Sequence, residues 1–178
     1  MKIPEKSMHE ILDEVEAKGY EFEKTYHGCA QCALGPLMEI FDIDQPEVFK
    51  SASGLGGGIG ISLEGTCGAL AAGVMVVSLF YGRELSNIED PEGMRFICYD
   101  LSKKLHERFV KEYGSSTCKD IHKKIFGRTY DLKKPGEWDA FLADGGHTHK
   151  CPEVVGKAAR WTADLILQEE KKRKAKQR

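Results

Sequence analysis

The sequence predicts an all-α fold, a single-domain helical bundle with a central apolar helix. Three observations carry this. Apolar residues recur at three- and four-residue intervals through most of the chain. Helix-start signals stand in front of these segments, and no alternating apolar and polar runs mark strands. One stretch, Gly65 to Gly82, holds 18 consecutive residues without a charge. At 178 residues, 41% hydrophobic and 30% charged, the chain has the size and composition of one globular domain.

The elements follow in order. Ser7-Met8-His9-Glu10 has the capping-box pattern, and Met8, Ile11, Leu12, Val15 and Phe22 then mark one apolar face. A second helix is expected from near Cys29 to Phe41, with Ala30, Ala33, Leu34, Leu37, Met38 and Phe41 inward. Pro36 should kink it or shift its start. Pro46 opens a short third segment that ends at Gly54. The glycine-rich run Gly54 to Gly60 leads to the apolar helix, expected from about Thr66 to Tyr81. Its small residues, Gly68, Ala69, Ala71, Ala72 and Gly73, let neighbouring backbones approach closely. The uncharged stretch would be about 27 Å long as a helix, short of a hydrocarbon core of roughly 30 Å. With four glycines, Thr66, Cys67 and Ser78, it suits a helix surrounded by others better than a membrane span. Asp90-Pro91 reads as an N-cap and first helical residue, starting a helix through Leu101, Leu105 and Phe109 to Gly114. Ser115-Ser116-Thr117 offers caps for a short helix with Cys118, Ile121 and Ile125. Residues 127–150 read as loop-rich. Pro152 starts the last helix, with Val154, Val155, Ala158, Trp161, Leu165 and Ile166 on its buried side. Residues 1–170 are thus the helical, cysteine-bearing domain, and 171–178 a basic C-terminal tail.

Charge narrows the function classes. Six of the last eight residues are Lys or Arg; without them 20 basic side chains face 28 acidic ones, a net charge of −8. An acidic body argues against nucleic-acid binding, which draws its affinity from clustered cations. The N-terminal residues carry charges where a signal peptide needs an apolar centre, so a cytoplasmic location is expected. In a reducing compartment the six cysteines read as metal ligands or redox groups rather than structural disulfides.

The glycine run contains no G-x-G-x-x-G register and lacks the G-K-[ST] ending of a P-loop, so it carries no nucleotide fingerprint. Gly56, Gly57 and Gly58 can instead form a loop that wraps a cofactor, or a plain turn into the apolar helix. Cys29-Ala30-Gln31-Cys32 has the C-x-x-C spacing of redox dithiols and many metal sites. Ala33 follows it where c-type haem attachment needs histidine, which excludes that haem. Cys29, Cys67, Cys118 and Cys151 are each expected near a helix N-terminus, where the dipole and free N–H groups favour a thiolate. Cys98, within Phe96-Ile97-Cys98-Tyr99, reads as a buried small hydrophobe. His147 and His149 could supply additional ligands, since imidazole binds zinc, iron and copper, but a solvated loop is the expectation for this single pair; His9, His27, His106 and His122 have no assigned role.

These cysteine contexts together resemble the C_GCAxxG_C_C family of redox-active proteins. The resemblance rests on Gly28-Cys29-Ala30-Gln31, on Ser53 to Gly60, on Gly65-Thr66-Cys67-Gly68-Ala69, and on the separated Cys118 and Cys151. It covers the chain roughly from the first helix to the last. The stretch after Cys67 departs from the label's glycine spacing, and Cys32 and Cys98 are additional to the signature. The resemblance implies Cys29, Cys67, Cys118 and Cys151 as the functional thiols. Some members look like the non-haem part of split-Soret cytochromes, which implies iron–sulfur chemistry in a helical domain.

The leading expectation is therefore an electron-transfer protein with an iron–sulfur cluster on those four cysteines, backed by Gly56, Gly57 and Gly58. A cluster-free thiol–disulfide oxidoreductase using Cys29 and Cys32 is the alternative. A zinc-stabilised interaction module on the same four cysteines is the third reading. The expected partner is a redox protein, with no nucleic acid or membrane, and the bundle could form a homodimer.

Overall fold

The computed structural model describes residues 2–176. Among these the chain forms eight α-helices and no strand: α1 Met8–Tyr26, α2 Cys29–Ile40, α3 Pro46–Ser51, α4 Gly68–Tyr81, α5 Met94–Tyr113, α6 Cys118–Phe126, α7 Pro135–Ala143 and α8 Cys151–Lys176. The capping box is formed as expected: Ser7 Oγ accepts from the Glu10 amide at 3.2 Å, and Glu10 Oε2 accepts from the Ser7 amide at 2.9 Å. The helix it starts buries Ile11, Leu12 and Val15, while Met8, expected inward, is exposed. α1 packs along α8 and α2. Gly19 and Gly156 meet at the α1–α8 contact, where a methyl group on Gly156 would stand 2.9 Å from the Glu16 carbonyl.

α2 runs unbroken from Cys29 with Pro36 inside it, so the proline does not shift its start. α4 begins two residues later than expected, because Thr66 pairs as an isolated antiparallel bridge with Thr117 and Cys67 becomes the N-cap. This apolar helix packs against α2, α5 and α8. Its small residues are what allow the approach. A Cβ on Gly73 would lie 2.4 Å from Thr162 Oγ1 and 2.6 Å from Leu105 Cδ2. Gly73→Val is therefore expected to destabilise the fold by about 3 kcal/mol, because overpacking outweighs the gain in helix propensity of under about 1 kcal/mol. Urea unfolding checks this, and Thr162→Ala in the same chain should recover part of the loss.

Two further expectations need correction. Asp90 does not start α5 directly. It takes a positive φ of 53°, and the helix begins at Met94 after a turn through Gly93. Its buried carboxylate nevertheless caps that helix, accepting from the Met94 and Arg95 amides at 2.8 and 3.0 Å. The second correction concerns residues 127–150, which contain α7 and a π-turn, Gly146–Lys150, instead of loop alone. Phe141 on α7 is the reason this segment is ordered. It is 1% exposed and packs on Phe126, Tyr130, Trp138, His122 and His147.

α8 continues through residue 170 as far as Lys176, so the basic segment extends the last helix; residues 177 and 178 lie outside the described part. No helix among the described residues is long and apolar enough to cross a membrane.

Candidate functional site

Four helices begin at one place. Cys29 is the first residue of α2, Cys67 the N-cap of α4, Cys118 the first residue of α6 and Cys151 the first of α8. All four line a single cavity of about 160 Å³. The placement at helix starts agrees with the sequence, and their convergence is a product of the fold.

Backbone pairing holds two of them side by side. The Cys67 amide donates to the Ser116 carbonyl at 2.9 Å, and the Cys118 amide donates to the Gly65 carbonyl at 2.9 Å, so the chain entering α4 is tied to the chain entering α6. The glycine run closes over this pair. Residues 57–61 all take positive φ, between 55° and 69°, and form one left-handed turn that includes Ile59 and Ile61. A β-branched residue there is strained by roughly 1–2 kcal/mol, a cost found mainly where surrounding structure enforces it. The enforcement is visible: the Gly60, Ile61, Leu63 and Gly65 amides donate back to the Gly54, Gly56, Gly57 and Gly58 carbonyls at 2.9 to 3.1 Å. Gly56 and Gly57 line the cavity. Gly58 does not, but a side chain there would strike Cys118 Cβ at 2.7 Å, so it supports the site from behind. Gly68 has the same role toward Cys29, whose Sγ would lie 2.7 Å from a Cβ at residue 68.

At Cys29, Cys118 and Cys151 the thiol is favoured over the thiolate, contrary to the helix-dipole expectation. Proximity to Cys67, then burial and the charge of Glu23, push the Cys29 thiol well up, against one backbone hydrogen bond from Gly57. Burial, with Glu23, Cys29 and Cys118 nearby, does the same to Cys151. Burial pushes Cys118 up to about 12 from an ordinary 9.0, a penalty of about 4 kcal/mol. A helix N-terminus returns about 2 kcal/mol at most, so desolvation prevails. Cys29, Cys118 and Cys151 become thiolates together only if positive charge is supplied between them.

Cys32 does not line the cavity; it is 3% exposed and its thiol donates to the His27 carbonyl at 3.0 Å. Cys98 is buried on α5 beside Ser78, as a small core residue. No disulfide is formed by any of the six.

Three further side chains, Glu23, His122 and His147, complete the wall. His147 is not in a solvated loop. It lines the cavity, with Nδ1 3.1 Å from Glu23 Oε1 and its ring 4.0 Å from that of His27. His149, by contrast, is exposed. His122 is 4% exposed and stacks on Phe141 with ring centroids 5.6 Å apart. Glu23 is 1% exposed. It continues the buried row Ile11, Val15 and Gly19 of α1 at four-residue spacing, and a reading of apolar residues alone passes over it because it is charged. Three polar atoms around the cavity, Glu23 Oε2, His147 Nδ1 and His122 Nδ1, have no hydrogen-bond partner of good geometry.

Burial depresses His122 to about 4 from an ordinary 6.5. The folded chain therefore keeps it neutral while the unfolded chain takes a proton as pH drops through 6.5. Stability from this group is complete above pH 6.5, falls between 6.5 and about 4, and is level below, a loss of about 3 kcal/mol. Urea unfolding at pH 7 and pH 4.5 should show this loss in the native chain relative to His122→Phe.

Among the described residues no three His, Cys, Asp or Glu side chains stand close enough to share one metal ion. The four thiols instead surround a space several times that of a water molecule, about 30 Å³. The remaining wall is apolar, from Ile121, Ile125, Leu132, Trp138, Phe141, Val154 and Val155. A set of soft donors around a largely apolar space of that size fits a polynuclear core better than a single ion.

No curated protein and no solved structure matches the chain. A family profile does, over residues 27–165, and its description reads "Putative redox-active protein (C_GCAxxG_C_C)". The matched span begins just before Cys29 and ends beyond Cys151, so it takes in all four cavity cysteines, and the chain belongs to the C_GCAxxG_C_C family.

Proposed function

We propose that this protein transfers electrons by means of an iron–sulfur cluster held by Cys29, Cys67, Cys118 and Cys151. The observation that carries the reading is the convergence of those four thiols, from four helix starts, on one apolar cavity. Family membership supports redox activity in general. When bound, such a cluster supplies one-electron storage at a potential set by its hydrogen bonds and burial. The chain's own residues do the rest. Cys29 receives a backbone hydrogen bond from Gly57, the left-handed turn keeps side chains away from the sulfurs, and the aromatic and aliphatic wall excludes water. Positive charge between the thiols lets them ionise in spite of burial. The lining reaches the surface at His27, Gly28 and Ile61, where a partner redox protein would approach.

The test is metal and acid-labile sulfide analysis, with a visible spectrum, on protein purified and reconstituted without oxygen. Stoichiometric iron and sulfide with charge-transfer absorption are expected. Colourless protein after reconstitution would end this reading. Reversible disulfide formation would then favour thiol–disulfide exchange, with Cys67, the thiol beside Cys29 in the same cavity, as a candidate partner in addition to Cys32. Zinc released only on unfolding would favour the structural module.

A further inference from the structure

One carboxylate in the cavity is unexplained by the cysteine set. Glu23, on the last full turn of α1, is the sole acidic side chain in the lining and lies outside the span matched by the family. Burying an ionised carboxylate costs several kcal/mol unless it is paired or bound to a metal. Four cysteines next to it aggravate that cost, because every thiolate formed adds like charge. An ordinary core position would hold a glutamine or leucine more cheaply.

The two carboxylate oxygens are in different situations. Oε1 is 3.1 Å from His147 Nδ1. Oε2 is buried with no partner. His147 is itself fixed: its ring lies against His27, Trp138 and Phe141, with centroids 4.0, 5.6 and 5.1 Å away. One oxygen thus has a wedged imidazole nitrogen 3.1 Å away, outside hydrogen-bond geometry, while the other is open, on a side chain that faces the same space as the four thiols. Carboxylates that ligate metals are held in this manner, with an outer group orienting them.

We propose that Glu23, through Oε2, is a fifth and non-thiolate ligand of the metal group held by Cys29, Cys67, Cys118 and Cys151, with His147 as the positioning residue. The inference rests on the iron–sulfur reading above. Ligation removes the isolated charge and accounts for the open oxygen. A hard oxygen donor favours the more oxidised metal, so removing it should raise the reduction potential.

The experiment uses the full chain, reconstituted anaerobically with ferrous iron and sulfide, after growth on ¹³C-labelled glutamate. In the paramagnetic state, electron–nuclear double resonance should detect a ¹³C coupling from a bound carboxylate. Glu23→Gln should lose that coupling, change the resonance spectrum and shift the potential upward, with iron and sulfide retained by the four cysteines. His147→Ala should weaken the coupling, and His147→Gln, whose amide can approach the carboxylate from the same position, should restore it. No ¹³C coupling in the native chain overturns the inference whether or not any variant folds. An unchanged spectrum and potential in iron-loaded Glu23→Gln overturns it as well. Both results are distinct from failure of the iron–sulfur reading, in which the native chain takes up no iron or sulfide at all.

Discussion

Cys118→Ser is expected to abolish stoichiometric iron and sulfide binding, whereas Cys32→Ser and Cys98→Ser leave it in place. The contrast follows from position. Cys118 is the first residue of α6, lines the cavity, and is locked beside Cys67 by the reciprocal bonds to Ser116 and Gly65. Serine there keeps the volume and the backbone pairing but replaces a soft thiolate with a hydroxyl, which ionises far less readily and binds iron weakly. The same loss is expected at Cys29, Cys67 and Cys151, because a four-cysteine cluster has no spare thiolate. Cys32, although only three residues from Cys29, is directed to the His27 carbonyl and lies outside the lining. Cys98 is across the bundle, next to Ser78. Iron and sulfide assays on the six single variants check this. Retention of cluster in Cys118→Ser, or its loss in Cys98→Ser, would assign the ligands differently.

The largest effect on stability is expected from Phe141→Ala, a loss of about 3–5 kcal/mol measured by denaturant unfolding of the metal-free chain. Phe141 is almost fully buried and sits among five other rings. Gly146 is fitted against it so closely that a methyl group at 146 would lie 2.3 Å from its ring. Truncation leaves a void that neighbouring rings cannot fill without giving up their own contacts. It also loosens His122 and His147, which lean on Phe141 from two sides. A metal-free chain that loses less than about 1 kcal/mol would show that α7 is peripheral to the site.

Much of the architecture is legible along the chain because it is local. The capping box at Ser7 and the 3.6-residue periodicity of α1, α4 and α8 are decided by residues within one or two turns. So is the position of three of the signature cysteines at helix starts: Gly28, Thr117 and the Cys151-Pro152 pair are boundary signals in their own right. Element boundaries fail where a tertiary contact takes over. α4 starts late because Thr66 bridges to Thr117, 51 positions away. Asp90 caps α5 across a turn because its carboxylate is buried there. α7 has little amphipathic pattern and is held chiefly by Phe141.

The site divides in the same way. The helical class, the helix starts at Cys29, Cys118 and Cys151, and the glycine segment are readable along the chain, since each is a property of neighbours. That the four cysteine-bearing starts meet, that Cys32 stands outside and Gly58 behind the wall, and that Glu23, His122 and His147 stand within it comes from how the helices pack. The same packing raises the Cys29, Cys118 and Cys151 thiols. The helix dipole is local and favours thiolates, but burial is a property of the whole fold, and its penalty of several kcal/mol is the larger of the two.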